Sequence, residues 1–408
     1  MSVIKYISKR VSAEIIVPLG ALVLLLGIAS TYAATSAQDT ETNLPAQVIN
    51  AERSRILEKA QNYLSQIPST VVDYHSPRSS GNAHEFYSEG DYWWPDPDNP
   101  DGPYIRKDGL SNPDNFIQHR LQLIALSDLV GTLASAYLIE PDTKYLKKID
   151  IHLNAWFVNE DTKMAPHLKF SQAIKGRNTG RSIGIIDTIH LTEVARSIYQ
   201  LEKLKPGSLT SAPETKQWFA QYLQWLVTSD FGQAERQHPN NHGVCWAMQA
   251  SAFAQLVGNN SLLEDIRDDF KEVFIKKMMA HDGSFPAELA RTKPYGYSLF
   301  VLDAMATTAT IISTSEDNLW LYTASDGRGM RRAIDYMLPY IQNKSNWPLP
   351  PDVLHWNDWP VRHPALLFSA LEFDKEQYYM TWKDEEADPK EYEVLRNLPV
   401  RHPLIWLK

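Results

Sequence analysis

One cysteine, Cys245, stands in 408 residues. An intrachain disulfide is therefore excluded. Cys245 lies in the apolar run Val244-Cys245-Trp246-Ala247-Met248, which reads as a buried inert thiol rather than a nucleophile. An excess of positive charge is also missing: 49 Asp and Glu outnumber 40 Lys and Arg, a net of −9. That balance tells against nucleic acid as a partner. Alternating strand patterns with hairpin turns are nearly absent, so little sheet is expected. The 12 histidines are scattered along the chain and give no sign of a zinc site. Gly176, Gly180 and Gly184 follow no strand pattern and match neither nucleotide-binding fingerprint. Neither a metal nor an organic cofactor is expected.

What is present is helical and aromatic. Twelve Trp and 19 Tyr are many for this length; their flat faces suit either a core or stacking on sugar rings. At the N-terminus, Lys5, Lys9 and Arg10 precede an uncharged run from Ile15 to Ala37. Residues 1–37 read as a secretory signal peptide or as an uncleaved membrane anchor. A polar linker follows, Gln38 to Pro45, and then a single domain from residue 46 to 408.

Helical periodicity recurs through that domain. It predicts helices over Val48–Ile67, Phe116–Leu138, Tyr145–Phe157, Ile185–Leu204, Glu214–Thr228, Val244–Val257, Leu262–Ala280, Ser298–Ser313, Met330–Gln342 and Pro364–Phe373. Paired helices with long connections and no fixed repeat point to an all-α fold, an α/α toroid with a loop-built cleft at one rim. One connection, Tyr87 to Gly109, has neither helical nor strand period yet carries two Trp and three Tyr. Tyr92, Trp93 and Trp94 there suit a sugar-stacking wall or a plug on the core, with Arg106 nearby for carboxylates. Trp356 lies in a second aromatic loop, Leu354 to Pro360.

Two segments about fifty residues apart carry the chemistry: Asn240-Asn241-His242-Gly243, and Leu289-Ala290-Arg291-Thr292 running to Tyr297-Ser298. Together they offer an amide, an imidazole, a guanidinium and a phenol. This set suits removal of the C5 proton of a uronic acid, followed by loss of the group on C4. The C6 carboxylate must be neutralised by positioned donors, and a base and an acid must reach C5 and O4. The same residues have plainer readings. Asn241 suits a helix cap, His242 a structural histidine, Arg291 a salt-bridge partner and Tyr297 the core. Tyr295 is a competing phenol.

Gly90-Asp91-Tyr92-Trp93-Trp94-Pro95, Asn240-Asn241-His242-Gly243 and Arg291…Tyr297-Ser298-Leu299-Phe300 resemble the alginate lyase superfamily of polysaccharide lyases, in particular its glucuronan and broad uronan branch. The resemblance runs from about residue 85 to 370. It implies an α/α toroid. It also implies Tyr297 as base and acid, with His242, Asn241 and Arg291 neutralising the carboxylate. A further segment, Gly176 to Asp187, resembles a family loop. It makes Asn178 a further carboxylate donor and Arg177 and Arg181 contacts for other uronate groups. The gap between Arg291 and Tyr297 is shorter than in mannuronate-type members. The implied function is cleavage of a 1,4-linked uronan, alginate or glucuronan, by metal-independent β-elimination, with an acidic polysaccharide as partner. The rivals are a glycoside hydrolase using Asp91, Asp187 or Glu288, and a non-catalytic carbohydrate-binding protein of the cell surface.

Overall fold

In the computed structural model, which describes residues 43–407, apolar runs and helix punctuation agree along most of the chain. The first helix, α1 (Leu44–Tyr63), buries Val48, Glu52, Ile56 and Ala60 at every fourth position. It begins with Pro45 in its first turn, a favoured place for proline. The polar linker expected up to Pro45 therefore ends before Leu44. The apolar run Ile15–Ala37 lies outside the described residues. From Val48 onward the chain forms one compact unit.

Five helices follow one another as an inner layer: α2 (Gln118–Ile139), α4 (Leu191–Leu204), α7 (Asn241–Val257), α10 (Pro294–Ile312) and α12 (Pro364–Phe373). Each packs on the next in that order. They are backed by an outer layer: α3 (Thr143–Leu153), α5 (Ala212–Thr228), α8 (Asn260–Asp269), α11 (Met330–Gln342) and α13 (Glu376–Asp384). This alternation is an α/α toroid. Its logic shows in the burial. In α10 every residue except Thr310 is buried, as expected of a helix covered on all sides. Outer α11 buries only a stripe, Met330, Ala333, Ile334, Met337, Leu338 and Ile341. Helix α2 is long and apolar enough to cross a membrane, but it is mostly buried as an inner helix.

The C-terminal residues tie three of the inner helices together. Trp406 packs on Phe368 of α12 and donates its indole N–H to Glu193 of α4. His402, buried between them, is held by Glu193 at 2.6 Å and by Asp128 of α2 at 3.1 Å.

Short elements complete the rim. They are α6 (Asp230–Arg236), α9 (Pro286–Leu289) and α14 (Tyr392–Asn397), and the strands β1 (Tyr87–Glu89), β2 (Trp93–Trp94), β3 (Ile105–Arg106) and β4 (Phe170–Ala173). β1 pairs with β4 in parallel, and β2 pairs with β3 antiparallel. The aromatic connection, read from sequence as lacking any period, is thus folded into a hairpin. Pairs of two or three residues are too short to imprint an alternation. The helix expected over Ile185–Leu204 divides into a tight turn, Ser182–Thr188, and α4.

The toroid brings several inner helix starts to one rim. Arg120 is the third residue of α2, and Asp187 comes shortly before α4. Asn241 and His242 open α7, and Tyr297 is the fourth residue of α10. Asn240 caps α7, accepting the His242 amide at 3.1 Å. The cap of α10 is tertiary: Asp352 accepts the Tyr295 and Gly296 amides, each at 2.9 Å. Gly243 is required where it stands, because a Cβ there would lie 2.4 Å from the His238 carbonyl oxygen.

Burial holds His152 down at about 4 and His190 at about 3. In the unfolded chain both take up protons from about pH 6.5. As pH falls from 6.5 towards 4 the unfolded state therefore binds protons that the folded state does not, and stability declines. Melting temperature should fall across that window. The decline should be shallower in His152→Gln, which removes one of the two groups.

Candidate active site

The rim encloses a cavity of about 340 Å³. Asp91, Tyr92 and Trp93 from the aromatic connection form one part of its lining. Gln172, Arg181 and Asp187 form another, and Asn241, His242, Arg291 and Tyr297 a third. Arg396 closes it from α14.

Tyr297 presents its hydroxyl to two partners. Arg291 donates from Nη2 at 3.2 Å, with its guanidinium 4.4 Å from the ring centroid. The Tyr92 hydroxyl lies 2.6 Å away. Burial pushes the Tyr297 phenol well above its ordinary range, and Tyr92 adds to this, while Lys293 and Arg291 oppose it. Tyr92 is raised by burial too, against the nearby charge of Arg396, which donates to its hydroxyl at 3.0 Å.

Asn241 and His242 are each held by a buried carboxylate. Glu288, 1 % exposed, accepts the Asn241 amide at 2.6 Å and its Nδ2 at 2.8 Å. Burial raises the Glu288 carboxyl, and the two Asn241 donors work against that. One Nδ2 hydrogen of Asn241 remains for a ligand. Nδ1 of His242 meets Oε1 of the fully buried Glu235 at 2.8 Å, which leaves Nε2 of the ring free. The cap reading expected for Asn241 belongs instead to its neighbour Asn240.

The lining carries five arginines, Arg106, Arg120, Arg181, Arg291 and Arg396, against two aspartates. The aspartates are fully engaged. Asp91 accepts from Arg120 at 2.9 Å and Arg396 at 2.6 Å. Burial would raise its carboxyl, but these two cations hold it down. Asp187 accepts from Arg120 and from Gln172, each at 3.0 Å. Behind the lining, Asp108 takes hydrogen bonds from Arg106, Arg291 and Thr292. Burial works to raise it, yet Arg291 and its neighbours keep it at about 2. Glu393 binds Lys293 and Arg396. Arg181 alone of the five has no carboxylate partner, bonding to the Gln172 carbonyl and side chain, each at 2.9 Å. Burial lowers its guanidinium to about 10, still cationic at neutral pH. Gly90 permits this approach, since a Cβ there would lie 2.7 Å from both Arg181 and Trp93.

Not every expected residue reaches the cavity. Arg177 is exposed, donates to the Tyr104 carbonyl at 2.7 Å and lies over the Trp93 ring. Asn178 is exposed and pairs through its backbone with Ile174. Trp94 donates to the Leu110 carbonyl. Tyr295 is fully buried, donates to the Tyr340 carbonyl and packs edge-on against Trp347 and Trp356. None of these residues lines the cavity, and neither does Trp356. Sequence reasoning also missed Arg120, Gln172, Glu235 and Arg396 as parts of the site. Gln172 has a left-handed backbone, φ 49°, a conformation uncommon outside glycine and frequent at functional sites. Among the described residues His355, Asp358 and Glu391 bring ligand atoms within 4.8 Å of one another, but none of the three lines the cavity.

The alginate lyase family model matches residues 70–347. Among solved structures, an alginate lyase from Bacteroides ovatus is 32 % identical, with a TM-score of 0.75 over 92 % of this chain and 96 % of that one. A variant of alginate lyase A1-III complexed with tetrasaccharide is 13 % identical, with a TM-score of 0.54 over 88 % and 94 % of the two chains. Alginate lyase A1-III from Sphingomonas species A1 is 12 % identical, with a TM-score of 0.51 over 86 % and 94 %. The last two share the fold. No curated protein sequence matches the chain.

The arginine-rich lining predicts salt-sensitive capture of polyanions, because screening shortens the reach of surface charge. The apparent KM for a long uronan should rise with ionic strength, and that for a short oligomer should rise less. A KM for the long polymer that ignores salt would contradict attraction by this lining.

Proposed function

The chain belongs to the alginate lyase family and is a polysaccharide lyase acting on uronic polymers, and from that premise we propose that it cleaves a 1,4-linked uronan, alginate or glucuronan, by metal-independent β-elimination centred on Tyr297. The observation that carries this reading is the convergence of four groups on one cavity. They are a phenol beside a guanidinium, and an amide and an imidazole each held from behind by a carboxylate.

In this reading Asn241 Nδ2, His242 Nε2 and the Arg291 guanidinium meet the C6 carboxylate. They stabilise the charge that builds there when the C5 proton leaves, as positioned donors do in a site shielded from water. Tyr297 as phenolate takes that proton. The C5–H electron pair moves into the C5–C6 bond, then forms C4=C5 as the C4–O4 bond breaks. The proton on Tyr297 passes to O4, which restores the phenolate. Trp93 offers a face to the sugar, and Arg181 binds a neighbouring uronate.

A hydrolase needs one carboxylic acid with a proton to give and a second carboxylate acting on the sugar or a water. Asp91 is clamped between two guanidiniums, Asp187 is held by Arg120 and Gln172, and Glu288 spends both oxygens on Asn241. Their bonding favours elimination over hydrolysis. Enzymes of this family are typically extracellular or periplasmic. The run Ile15–Ala37 would serve here as a cleaved export signal or as a tether to the membrane.

Tyr297→Phe should leave melting temperature and polymer binding close to wild type and abolish the ultraviolet absorbance of the unsaturated product. Acid–base terms are about 10² to 10⁴ each, and one residue here serves both. Tyr295→Phe should retain turnover; a dead Tyr295→Phe beside an active Tyr297→Phe would move the role two residues upstream. Asn241→Ala and His242→Ala should each lower kcat by about 10² to 10³ in protein that remains folded. Loss of stability with unchanged specific activity would return both residues to a structural role.

A further inference from the structure

We propose that Tyr92 and Arg396 complete the proton-transfer device, the Tyr92 and Tyr297 hydroxyls holding one negative charge between them during turnover. The inference rests on Tyr297 being the base. Three contacts carry it. The two hydroxyl oxygens lie 2.6 Å apart. Arg291 donates to the Tyr297 hydroxyl at 3.2 Å. Arg396 donates to the Tyr92 hydroxyl at 3.0 Å. The order is guanidinium, phenol, phenol, guanidinium. Tyr92, read from sequence as part of a sugar-stacking wall or of a plug on the core, turns its hydroxyl to Tyr297.

A single phenolate shut away from water is strongly disfavoured. Removing one proton from the pair is a different matter. The proton that remains lies between two oxygens in a charge-assisted hydrogen bond, and each oxygen faces its own cation. The two phenols then titrate as one unit. The charged groups facing them come from three elements. Arg291 and Lys293 lie before α10, Arg396 and Glu393 on α14, and Asp91 and Asp108 in the aromatic connection. Each carboxylate is already bound to cations: Glu393 to Lys293 and Arg396, Asp91 to Arg120 and Arg396, Asp108 to Arg106 and Arg291. The Lys293 ammonium also lies over both rings, 5.0 Å from that of Tyr92 and 5.7 Å from that of Tyr297.

In turnover the C5 proton goes to the Tyr297 oxygen and later to O4. Tyr92 gains and loses no proton. Its hydrogen bond is strongest while Tyr297 is ionised, before proton abstraction and after protonation of O4. Tyr92 is thus a positioning residue that sets how readily its partner ionises.

The test is the dependence of kcat on pH for a long uronan. Tyr92→Phe keeps the ring and removes the bond. Its alkaline-rising limb should move up by about one to two pH units, the worth of a hydrogen bond to a charged group. KM should hardly change, and activity should return at high pH. An unmoved limb, a uniform loss at every pH, or a rise in KM alone would each overturn the proposal. A second variant guards against misfolding: 3-fluorotyrosine at position 92 keeps the shape with a more acidic hydroxyl, so the limb should move down instead. Wild type forming unsaturated product and Tyr297→Phe forming none, together with no shift from either change at position 92, would remove the pairing and leave the base in place. Full activity in Tyr297→Phe would remove the base, and the pairing with it.

Discussion

Arg120 is the residue on which the rim depends. It is 2 % exposed and ties Asp91 of the aromatic connection to Asp187 before α4. Asp91 in turn holds Arg396 of α14. An inner helix, two loops and a C-terminal helix are thereby joined through one guanidinium whose planar fork can serve several acceptors at once. Removing one member of such a buried set leaves the others charged and unpaired, which is far more damaging than losing an exposed ion pair. The position of Tyr92 follows from this set, because Tyr92 is the neighbour of Asp91 and is bonded to Arg396.

The net charge of −9 and an acidic substrate are reconciled by depth. Asp91 and Asp187 lie in the lining but are bonded to their neighbours there, and the other carboxylates stand behind it with donors in front. Asp108 backs Arg106 and Arg291, Glu393 backs Lys293 and Arg396, and Glu235 and Glu288 back His242 and Asn241. Each carboxylate orients its partner and keeps its own charge away from the cavity wall. Arg181, bonded to Gln172 rather than to a carboxylate, offers a full charge to a ligand.

Helix α11 and helix α12 begin and end where periodicity placed them, Met330–Gln342 and Pro364–Phe373. Gly329 and Pro364 mark their starts in the sequence itself. Helix α13 left no such signal. It is polar, and it buries Tyr378, Tyr379 and Trp382 through contacts that its own sequence does not announce. The same division runs through the site. Asn241, His242, Arg291 and Tyr297 were legible because each sits beside a helix start in a local pattern. Arg120, Gln172, Glu235 and Arg396 were not. Arg120 reads as one more residue of an apolar helix, and Arg396 lies far along the chain from everything it touches. Tyr295 competes with Tyr297 on paper. Packing separates them, sending one ring into the core against Trp347 and the other hydroxyl into the cavity.

Among the inner helices that bring their N-termini to the rim are α7 and α10, and a helix start carries roughly half a positive charge on its free amides. Such ends often bind anions directly. Here both are already occupied. Asp352 takes the Tyr295 and Gly296 amides of α10, and Glu288 takes the Asn241 amide of α7 while Asn240 takes that of His242. The backbone field that elsewhere greets a phosphate or carboxylate is cancelled within the fold. In the proposed reaction, recognition of the uronate is left to side chains, which can change while these backbone caps stay in place. A scaffold wired in this way can change the acidic sugar it selects while its backbone stays fixed.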